Sequence, residues 1–394
     1  MWKGFFMRKI LTKRIQQLTK SPLLKMDSKV KAMQRAGIEV INFGRGEPDF
    51  QTPLPIKQAG KDAIETGFSH YTATAGIPEL REALVEKFRK ENHITYDQSE
   101  IIIGSGTRPL LYIAFQVLCE KGDEAIVPLP TWGTYVEQVK LSGAAPVFIR
   151  LVPPFKLTAK EVERKITSKT KVLLLNSPSN PTGAIIEKEE LQKIAQLAIK
   201  HGIWIIADEM YEKLLFKGKY ISIASLNKKI QQHVITMNGF SKTYAMTGWR
   251  IGYAAGPKEV ISSMVDLQGH LTANASSISQ KAALGFTKSE KEVVQMVAEF
   301  AKRRTFLAKE LVKIPQLDVT IPEGSFYFFI GIKRLLGKNQ STMDWCERLL
   351  EKKHVALIPG EAFLSPGHVR LSFAAPIEKL RLAVERIKEF INES

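Results

Sequence analysis

A lysine among small and apolar neighbours is the residue of this sequence best suited to covalent chemistry. Lys242 lies in the segment SKTYAMTGWR, which runs from Ser241 to Arg250. Apolar surroundings lower the pKa of an amine, and a neutral amine can form a Schiff base with a carbonyl group. Ser241 and Arg250 add a hydroxyl and a guanidinium, which are groups that bind phosphate. The segment indicates a reactive amine beside an anion site, although a lysine considered alone is more commonly a solvated surface charge.

A carboxylate at the end of a predicted buried strand is the second feature of this kind. Asp208 follows the apolar run 203–207 and precedes Tyr211 by three residues. A buried acid is costly unless it has a cationic partner, and the protonated ring nitrogen of a pyridine would be one. Tyr211 could reach the same ligand. Considered alone, Asp208 is explained equally well as the N-cap of a helix.

Two loops of glycine, proline and small polar residues follow two other predicted strands. Gly104–Arg108 opens a helix, and its small residues let the backbone approach an anion at the helix N-terminus. Pro109 stands where the dinucleotide fingerprint has its third glycine, which counts against a nicotinamide enzyme. Asn176–Gly183 reads NSPSNPTG, and the proline after Asn180 biases that residue to an extended backbone. Either loop by itself could be a surface turn.

The elements that must position these residues alternate between short apolar strands and amphipathic helices. This alternation predicts an α/β fold with a mainly parallel seven-stranded sheet and helices on both faces. The loops that follow the strands of such a sheet present ligand-binding groups along one edge. The predicted strands are 101–103, 125–127, 146–149, 172–175, 203–207, 234–237 and 251–255, and helices between them include 107–119, 132–142 and 188–200.

The pattern changes near residue 289, which predicts a second and smaller α+β domain. We expect a long helix to about residue 312, strands at 317–321, 324–330, 355–358 and 369–373, and helices at 342–353 and 377–392. The first 45 or so residues lack a strand–helix repeat, so we expect them to pack with this part. The predicted division is a large domain of residues 48–285 and a small domain of residues 1–47 and 286–394.

Three motifs make the chain resemble the class I aminotransferases of the fold-type-I pyridoxal 5′-phosphate (PLP) superfamily, with the bacterial aspartate-aminotransferase branch most similar. They are Asn-Pro-Thr-Gly at Asn180–Gly183, Asp-Glu-x-Tyr-Glu at Asp208–Glu212, and Ser-Lys-x-x-x-Met-x-Gly-Trp-Arg at Ser241–Arg250. Supporting matches are Gly46–Phe50, Tyr71, Ala75-Gly76 and Val369–Ser372. The resemblance covers nearly the whole chain. It implies a PLP-transferase fold and transfer of an amino group between an L-amino acid and a 2-oxo acid by a ping-pong mechanism, with 2-oxoglutarate as the expected acceptor.

The resemblance also implies a role for individual residues at the cofactor. Lys242 would hold PLP as a Schiff base and then move a proton, and Asp208 would pair with the ring nitrogen. Tyr211 and Asn180 would hydrogen-bond the ring oxygen, and Trp132 would stack on the ring. The residues expected at the phosphate are Gly106, Thr107, Arg108, Ser241 and Arg250, aided by Tyr71 from a second subunit.

At the substrate, the resemblance implies that Arg370 binds the α-carboxylate bidentately. Gly46, Trp132 and Asn180 would line the same pocket. A tyrosine shared between subunits implies a homodimer with shared active sites, so Tyr71 is expected to act across an interface. We expect no metal.

Composition and charge limit which other classes of protein the chain could belong to. Residues 1–35 hold ten Lys or Arg and one acid, so nine of the seventeen net positive charges lie there, and no nucleic-acid-binding pattern accompanies them. We therefore expect no nucleic-acid partner. Cys119 and Cys346 are far apart, which fits a cytoplasmic protein without disulfides. No secretory signal or membrane-spanning run is apparent, and Met7 could be an alternative start.

Two other classes remain open at this point. A different PLP reaction on the same fold, such as that of a C–S lyase or a synthase, would use the same carbanion-stabilising residues. A non-enzymatic PLP-fold regulator would usually carry a DNA-binding domain ahead of the fold, and the residues before Gly44 show no clear helix-turn-helix. A half-reaction that depends on a 2-oxo acid would separate the first class from an aminotransferase.

The choice of amino donor depends on two further positions. In aspartate-using relatives, a lysine just after the phosphate-loop glycine and a threonine near the N-terminus bind the distal carboxylate. Alignment places Thr107 at the lysine position and Leu23 at the threonine position. With fewer polar partners a dicarboxylate is bound less well, so we expect aspartate to be a poorer donor than in those relatives and apolar or aromatic donors to be relatively favoured. Arg45 or Arg108 could supply a replacement cation; alternatively, Leu23 lies outside the pocket and Thr107 only binds phosphate.

Overall fold

The chain begins with helices and one short strand before it enters the central sheet. The computed structural model describes residues 11–19 and 22–393. The first elements are α1 (Lys13–Gln16), α2 (Pro22–Arg35), β1 (Ile41–Asn42), α3 (Leu54–Glu65) and α4 (Pro78–Lys87). Both α3 and α4 carry a proline in the first turn, where its missing N–H leaves no helical hydrogen bond unmade. The alternative start at Met7 lies outside the described residues.

A seven-stranded sheet follows. Its strands are β2 (Ile101–Gly104), β3 (Glu124–Leu129), β4 (Ala145–Arg150), β5 (Thr170–Asn176), β6 (Trp204–Asp208), β7 (Val234–Gly239) and β8 (Gly252–Ala255). Their order in the sheet is β2-β8-β7-β6-β5-β3-β4. β8 runs antiparallel to both of its neighbours, whereas the other neighbouring strands are parallel. The prediction of a mainly parallel seven-stranded sheet is confirmed.

Helices cover both faces of this sheet, so its strands are apolar on both sides. In β2, Ile101 and Ile103 pack into one buried cluster and Ile102 into another. Successive strand residues point to opposite faces, which is why a strand buried on both faces is a continuous apolar run. The covering helices are α5 (Thr107–Leu118), α6 (Gly133–Leu141), α7 (Ala159–Glu163), α8 (Lys188–His201), α9 (Lys228–Gln231), α10 (Phe240–Thr243), α11 (Lys258–Leu271) and α12 (Ser277–Ala283).

Beyond α12 the chain forms a 22-residue helix and a four-stranded antiparallel sheet. The elements are α13 (Glu290–Leu311), β9 (Asp318–Val319), β10 (Tyr327–Gly331), α14 (Thr342–Lys353), β11 (Val355–Ala356), β12 (Ile358–Pro359), β13 (His368–Ser372) and α15 (Ile377–Asn392). The sheet order is β12-β13-β10-β9. The helices predicted at 342–353 and 377–392 have the predicted bounds.

Two strand predictions in this part were wrong in detail. The strand expected at 324–330 begins only at Tyr327, because Gly324 and Ser325 bind the loop after β6 instead: the Ser325 N–H donates to the Leu214 carbonyl at 2.8 Å. The strand expected at 355–358 is two short strands, because β11 pairs with β1 and β12 pairs with β13. One apolar run thus serves two different sheets.

The N-terminal segment contacts the C-terminal part of the chain. β1 pairs in parallel with β11, with Ile41 opposite Val355. Met26 and Val30 of α2 belong to the same buried cluster as Trp345. These contacts fit the expected grouping, and the division into domains of residues 48–285 and of residues 1–47 with 286–394 stays a prediction.

Candidate active site

The ends of several strands of the large sheet meet the C-terminal sheet at a cavity of about 420 Å³. Asp208 ends β6, Lys242 follows β7 on the short helix α10, and Arg370 lies on β13. Eleven of the residues expected at the site line this cavity: Gly46, Thr107, Arg108, Trp132, Asn180, Asp208, Tyr211, Ser241, Lys242, Arg250 and Arg370. Side chains that are distant in sequence are therefore brought together as expected.

Lys242 projects its amine into the cavity. The amine donates a hydrogen bond to the Gly46 carbonyl, which ties α10 to the segment after β1. Loss of hydration, followed by the charge of Arg370, lowers the pKa of Lys242 to about 8. A substantial fraction of the amine is therefore neutral near physiological pH, as attack on a carbonyl carbon requires.

Asp208 is a buried carboxylate at the floor of the cavity. Its Oδ2 accepts a hydrogen bond from the Tyr135 hydroxyl at 2.6 Å, and its Oδ1 accepts one from the Met210 N–H at 3.1 Å. Burial raises the pKa of Asp208, and these two hydrogen bonds and Lys242 oppose that rise. A carboxylate has about four acceptor positions, so Asp208 retains the capacity to accept from a protonated ring nitrogen.

Arg370 is a guanidinium that is only 2% exposed. Its Nη2 donates to the Gly44 carbonyl at 2.8 Å and its Nη1 to Asn180 Oδ1 at 3.0 Å, both neutral acceptors. Its Nε is buried without a partner, and its Cζ lies 4.3 Å from the centre of the Tyr327 ring. Among the described residues no carboxylate lies within 4.0 Å of it. A buried cation without an anion is costly, so this geometry fits a ligand carboxylate.

Two tyrosines of the cavity were missed in the sequence. Tyr135 lies one helical turn after Trp132, and that spacing could have revealed it because residues three apart share a helix face. The Tyr327 hydroxyl lies 3.1 Å from the Tyr211 hydroxyl, and burial raises the pKa of both groups. Tyr327 stands in the aromatic run FYFF, which gave no signal beyond that of a core strand.

The N-terminus of α5 and the segment after β7 form an anion site. Gly106 has φ +91°, and a Cβ there would lie 2.6 Å from Arg250 Nη2, so a glycine is needed for the guanidinium to approach the backbone. Ser241 lies beside it on the cavity wall. Free N–H groups at the start of a helix, a hydroxyl and a guanidinium together suit a phosphate. Gly106 thus leaves room for the Arg250 guanidinium at the anion site, although Gly106 itself does not line the cavity.

The two positions expected to govern donor choice have different environments. Leu23 lines the cavity together with Met26 and Val30 of α2, so the alternative that Leu23 lies outside the pocket is wrong. Thr107 is buried, and its hydroxyl donates to the Asn238 carbonyl at 3.1 Å. Three of the four α2 residues that line the cavity are therefore apolar, and the fourth, Asp27, forms an ion pair with Lys31.

Tyr71 lies apart from the cavity of its own chain and is 90% exposed. Its expected contact with the phosphate of a second subunit stays a prediction. Other motif residues hold the surrounding loops in place. Trp249 donates to the Thr52 hydroxyl at 3.1 Å, and Asp49 forms an ion pair with the buried Arg303 at 2.7 Å.

Comparison with known proteins assigns this fold and cavity to a family. Residues 38–387 match the family model described as aminotransferase class I and II, and the chain belongs to that family. It is 40% identical to the aspartate aminotransferase of Bacillus sp. (strain YM-2) over 98% of this chain and 100% of the relative. It is 42% identical to a probable aspartate/prephenate aminotransferase of Aquifex aeolicus (strain VF5) over 98% of this chain and 100% of that one.

Solved structures agree with these sequence relatives. The structure titled aspartate aminotransferase from Thermus thermophilus with maleate is 38% identical, with a TM-score of 0.92 over 96% of this chain and 99% of that chain. The aspartate aminotransferase from Rhizobium meliloti is also 38% identical, with a TM-score of 0.92 over 97% and 98% of the two chains. The fold is that of fold type I, and the protein is a PLP-dependent aminotransferase. In the part of the chain that the structure describes, no helix has the length and apolarity needed to cross a membrane.

Proposed function

We propose that the cavity holds PLP, with Trp132 as the residue that would stack on its ring and Asp208 as the residue that would pair with its ring nitrogen. The residues present fit this cofactor. The buried carboxylate of Asp208 can accept a hydrogen bond from a cationic ring nitrogen, and the N-terminus of α5 with Arg250 and Ser241 suits the phosphate. Bound PLP supplies an electron sink for the bonds at the substrate α-carbon. Asp208 would accept a hydrogen bond from the ring nitrogen and so favour its protonated form.

Lys242 carries the covalent and proton-transfer roles. Its amine, with a pKa lowered to about 8, would hold the cofactor through the cofactor carbonyl carbon. The same amine would take the proton from the substrate α-carbon and return it at C4′. The hydrogen bond to the Gly46 carbonyl holds this amine in the cavity.

Arg370 orients the substrate through its α-carboxylate. A bidentate contact would satisfy the buried guanidinium and use its free Nε. Asn180 is already bound to Arg370 through Oδ1, so its amide nitrogen is free to donate to the ring oxygen, as the Tyr211 hydroxyl also can. These contacts would orient the substrate α-carbon toward the cofactor.

The observation that carries the proposal is the convergence of Lys242, Asp208 and Arg370 on one cavity. The experiment is a panel of amino donors with 2-oxoglutarate and pyruvate as acceptors, followed by cofactor absorbance. We expect full turnover only when a donor and a 2-oxo acid are both present. Turnover of an amino acid without any 2-oxo acid would instead indicate a lyase or a synthase.

For donor choice we propose that aspartate is a poorer substrate than in relatives that have a lysine at the position of Thr107 and a threonine at the position of Leu23. Leu23, Met26 and Val30 form an apolar wall, which supports relatively favoured apolar or aromatic donors. The alternative is that this protein prefers a dicarboxylic donor. The name aspartate aminotransferase among the relatives and the maleate named with the Thermus structure favour that alternative. The test is kcat/KM for aspartate against phenylalanine and methionine at fixed 2-oxoglutarate, and a strong preference for aspartate would contradict the proposal.

We also propose that the protein is a homodimer with shared sites and that it works in the cytoplasm. The exposed Tyr71 supports the first point. The second is supported by two free, buried cysteines, Cys119 and Cys346, for which burial raises the thiol pKa.

A further inference from the structure

Arg108 is a cation of the cavity whose guanidinium has no anion assigned to it. In the proposed function, Lys242 binds the cofactor carbonyl carbon, Arg370 binds the substrate α-carboxylate and Arg250 binds the phosphate. Within the described residues, Arg108 has no carboxylate partner within 4.0 Å and its side chain donates no hydrogen bond. A ligand with a third anionic group would use it.

Besides Asp208, two acids line the cavity, and both already have partners. Asp27 forms an ion pair with Lys31 at 2.7 Å. Glu47 accepts a hydrogen bond from the Thr247 hydroxyl at 2.9 Å and lies 4.0 Å from Arg45. Neither carboxylate therefore neutralises Arg108 from within the chain.

The backbone and the side chain of Arg108 point to different tasks. Arg108 is the second residue of α5, so its N–H group belongs to the helix N-terminus that suits the phosphate. Its guanidinium instead lies over the Trp132 ring, with Cζ 4.7 Å from the ring centre. Because the guanidinium makes this ring contact and donates no hydrogen bond within the described residues, its N–H groups remain available, and a guanidinium can bind a carboxylate bidentately.

The surroundings of Arg108 match a side chain with an apolar stem and a charged end. Leu111, one turn further along α5, lines the same cavity, as do Leu23 and Met26 of α2. Arg108 itself is exposed and also lines the cavity. Methylene groups would contact the apolar wall while a terminal carboxylate reaches the guanidinium.

We propose that Arg108 is a specificity-determining residue that binds the side-chain carboxylate of a dicarboxylic substrate, with glutamate and 2-oxoglutarate as the pair it serves. The inference rests on the proposed function, because it assumes that Arg370 and the cofactor fix the α-carbon. In a ping-pong reaction the donor and the acceptor use the same side-chain subsite in turn. Arg108 therefore allows an apolar cavity wall to coexist with 2-oxoglutarate as the acceptor.

The test compares glutamate with norvaline, whose unbranched side chain lacks the carboxylate. The variants are Arg108→Gln, Arg108→Lys and, as a matched control, Arg45→Gln, which removes another exposed cation of the same cavity. Loss of a hydrogen-bonded charge pair predicts that Arg108→Gln lowers the ratio of kcat/KM for glutamate to that for norvaline by roughly 10- to 100-fold. Arg108→Lys should restore part of the ratio, and Arg45→Gln should change it little.

The affinity of the apoprotein for PLP separates the two tasks of Arg108. If its side chain bound the phosphate, Arg108→Gln would weaken PLP binding as much as Arg250→Gln and leave the substrate ratio unchanged, which would overturn the inference. A fall of the ratio in Arg45→Gln alone would overturn it as well. Failure of the proposed function looks different: wild-type protein with PLP would transaminate neither donor.

Discussion

At the scale of single residues, the chemistry depends on how burial changes two ionisable groups. The pKa of Lys242 falls to about 8 and that of Asp208 rises, because both lose water. Only the shift of Lys242 favours the chemistry, because the rise in the pKa of Asp208 opposes its ionisation. Lys242 must be neutral to attack a carbonyl, whereas Asp208 must remain an anion, and the Tyr135 hydroxyl supports its charge.

The covalent role of Lys242 predicts the loss of a chemical crosslink. Borohydride reduction of the PLP-loaded wild type should fix the cofactor to the protein, and mass spectrometry should place it on Lys242. Lys242→Ala should lose the crosslink and all turnover. Lys242→Arg is the control that keeps the charge but cannot form the link. Covalent PLP on reduced Lys242→Ala would refute the assignment.

The pKa of Lys242 predicts the pH dependence of cofactor attachment. Its pKa lies below the ordinary value of 10.5, so the amine is protonated below about pH 8 and neutral above it. The rate at which apoprotein links to PLP should rise with pH through about 8 and then level off. Stopped-flow absorbance measures this rate, and a midpoint near the ordinary lysine value would contradict the predicted shift.

Asp208 predicts a loss of catalysis without a loss of fold. In Asp208→Ala the ring nitrogen has no anionic partner, and we expect kcat to fall by at least about a hundredfold, as for other preorganised electrostatic partners. Asp27→Asn, which removes an acid of the same cavity already paired with Lys31, should stay close to wild type. Near-normal kcat in folded, PLP-loaded Asp208→Ala would disprove the role.

At the scale of elements, the anion site depends on the close approach of a helix and a loop. Gly106 precedes α5 with a positive φ, and Arg250, which follows the Gly-Trp motif, also has a positive φ of 54°. The two turns bring a guanidinium to the N-terminus of α5. Gly106 and Arg250 are thus close in space although they lie 144 positions apart in the sequence.

Gly106→Ala tests that approach against a matched control. Gly122 has a similar φ of +108° but open space around its Cβ position, whereas a Cβ at Gly106 meets Arg250 at 2.6 Å. Both alanine variants should lose about 1–2 kcal/mol of stability from backbone strain. Only Gly106→Ala should also weaken PLP binding, because the arginine must move. Equal PLP affinities in the two variants, measured by fluorescence titration, would argue against an anion site here.

At the scale of the whole molecule, the cavity lies between the large sheet and the C-terminal sheet. Asp208 and Lys242 come from the first, and Arg370 and Tyr327 come from the second. A change in the relative position of the two sheets would therefore alter substrate orientation before it altered cofactor chemistry. In the proposed homodimer, the exposed Tyr71 would complete the site of the second copy.

A shared site predicts complementation between two inactive variants. Lys242→Ala and Tyr71→Ala subunits should each have low activity as homodimers, because one lacks the amine and the other lacks the phosphate contact. A hybrid dimer should contain one intact site, so mixing and refolding the two should restore part of the activity. A fully active monomer in light scattering at assay concentration, or no gain on mixing, would contradict the shared site.

The sequence by itself determined the elements and the reactive residues. Continuous apolar runs predicted the strands of the large sheet, and 3.6-residue periodicity predicted α14 and α15 to the residue, because these patterns are local. Lys242 and Asp208 were predicted as reactive groups from their local context, whereas the role of Arg370 was implied only by the resemblance to the aminotransferases. The tertiary structure alone decided which of these residues share a cavity, since that depends on how the two sheets pack.

Tertiary packing also decided what local patterns could not distinguish. Tyr327 has the same sequence context as its core neighbours, and only the pairing of β10 with β13 places its ring beneath Arg370. The run 355–358 was predicted as one strand and is divided between two sheets, because its partners come from distant parts of the chain. The sequence likewise left the task of Arg108 open, and the position of its guanidinium over Trp132 follows from the packing of α5 against α6.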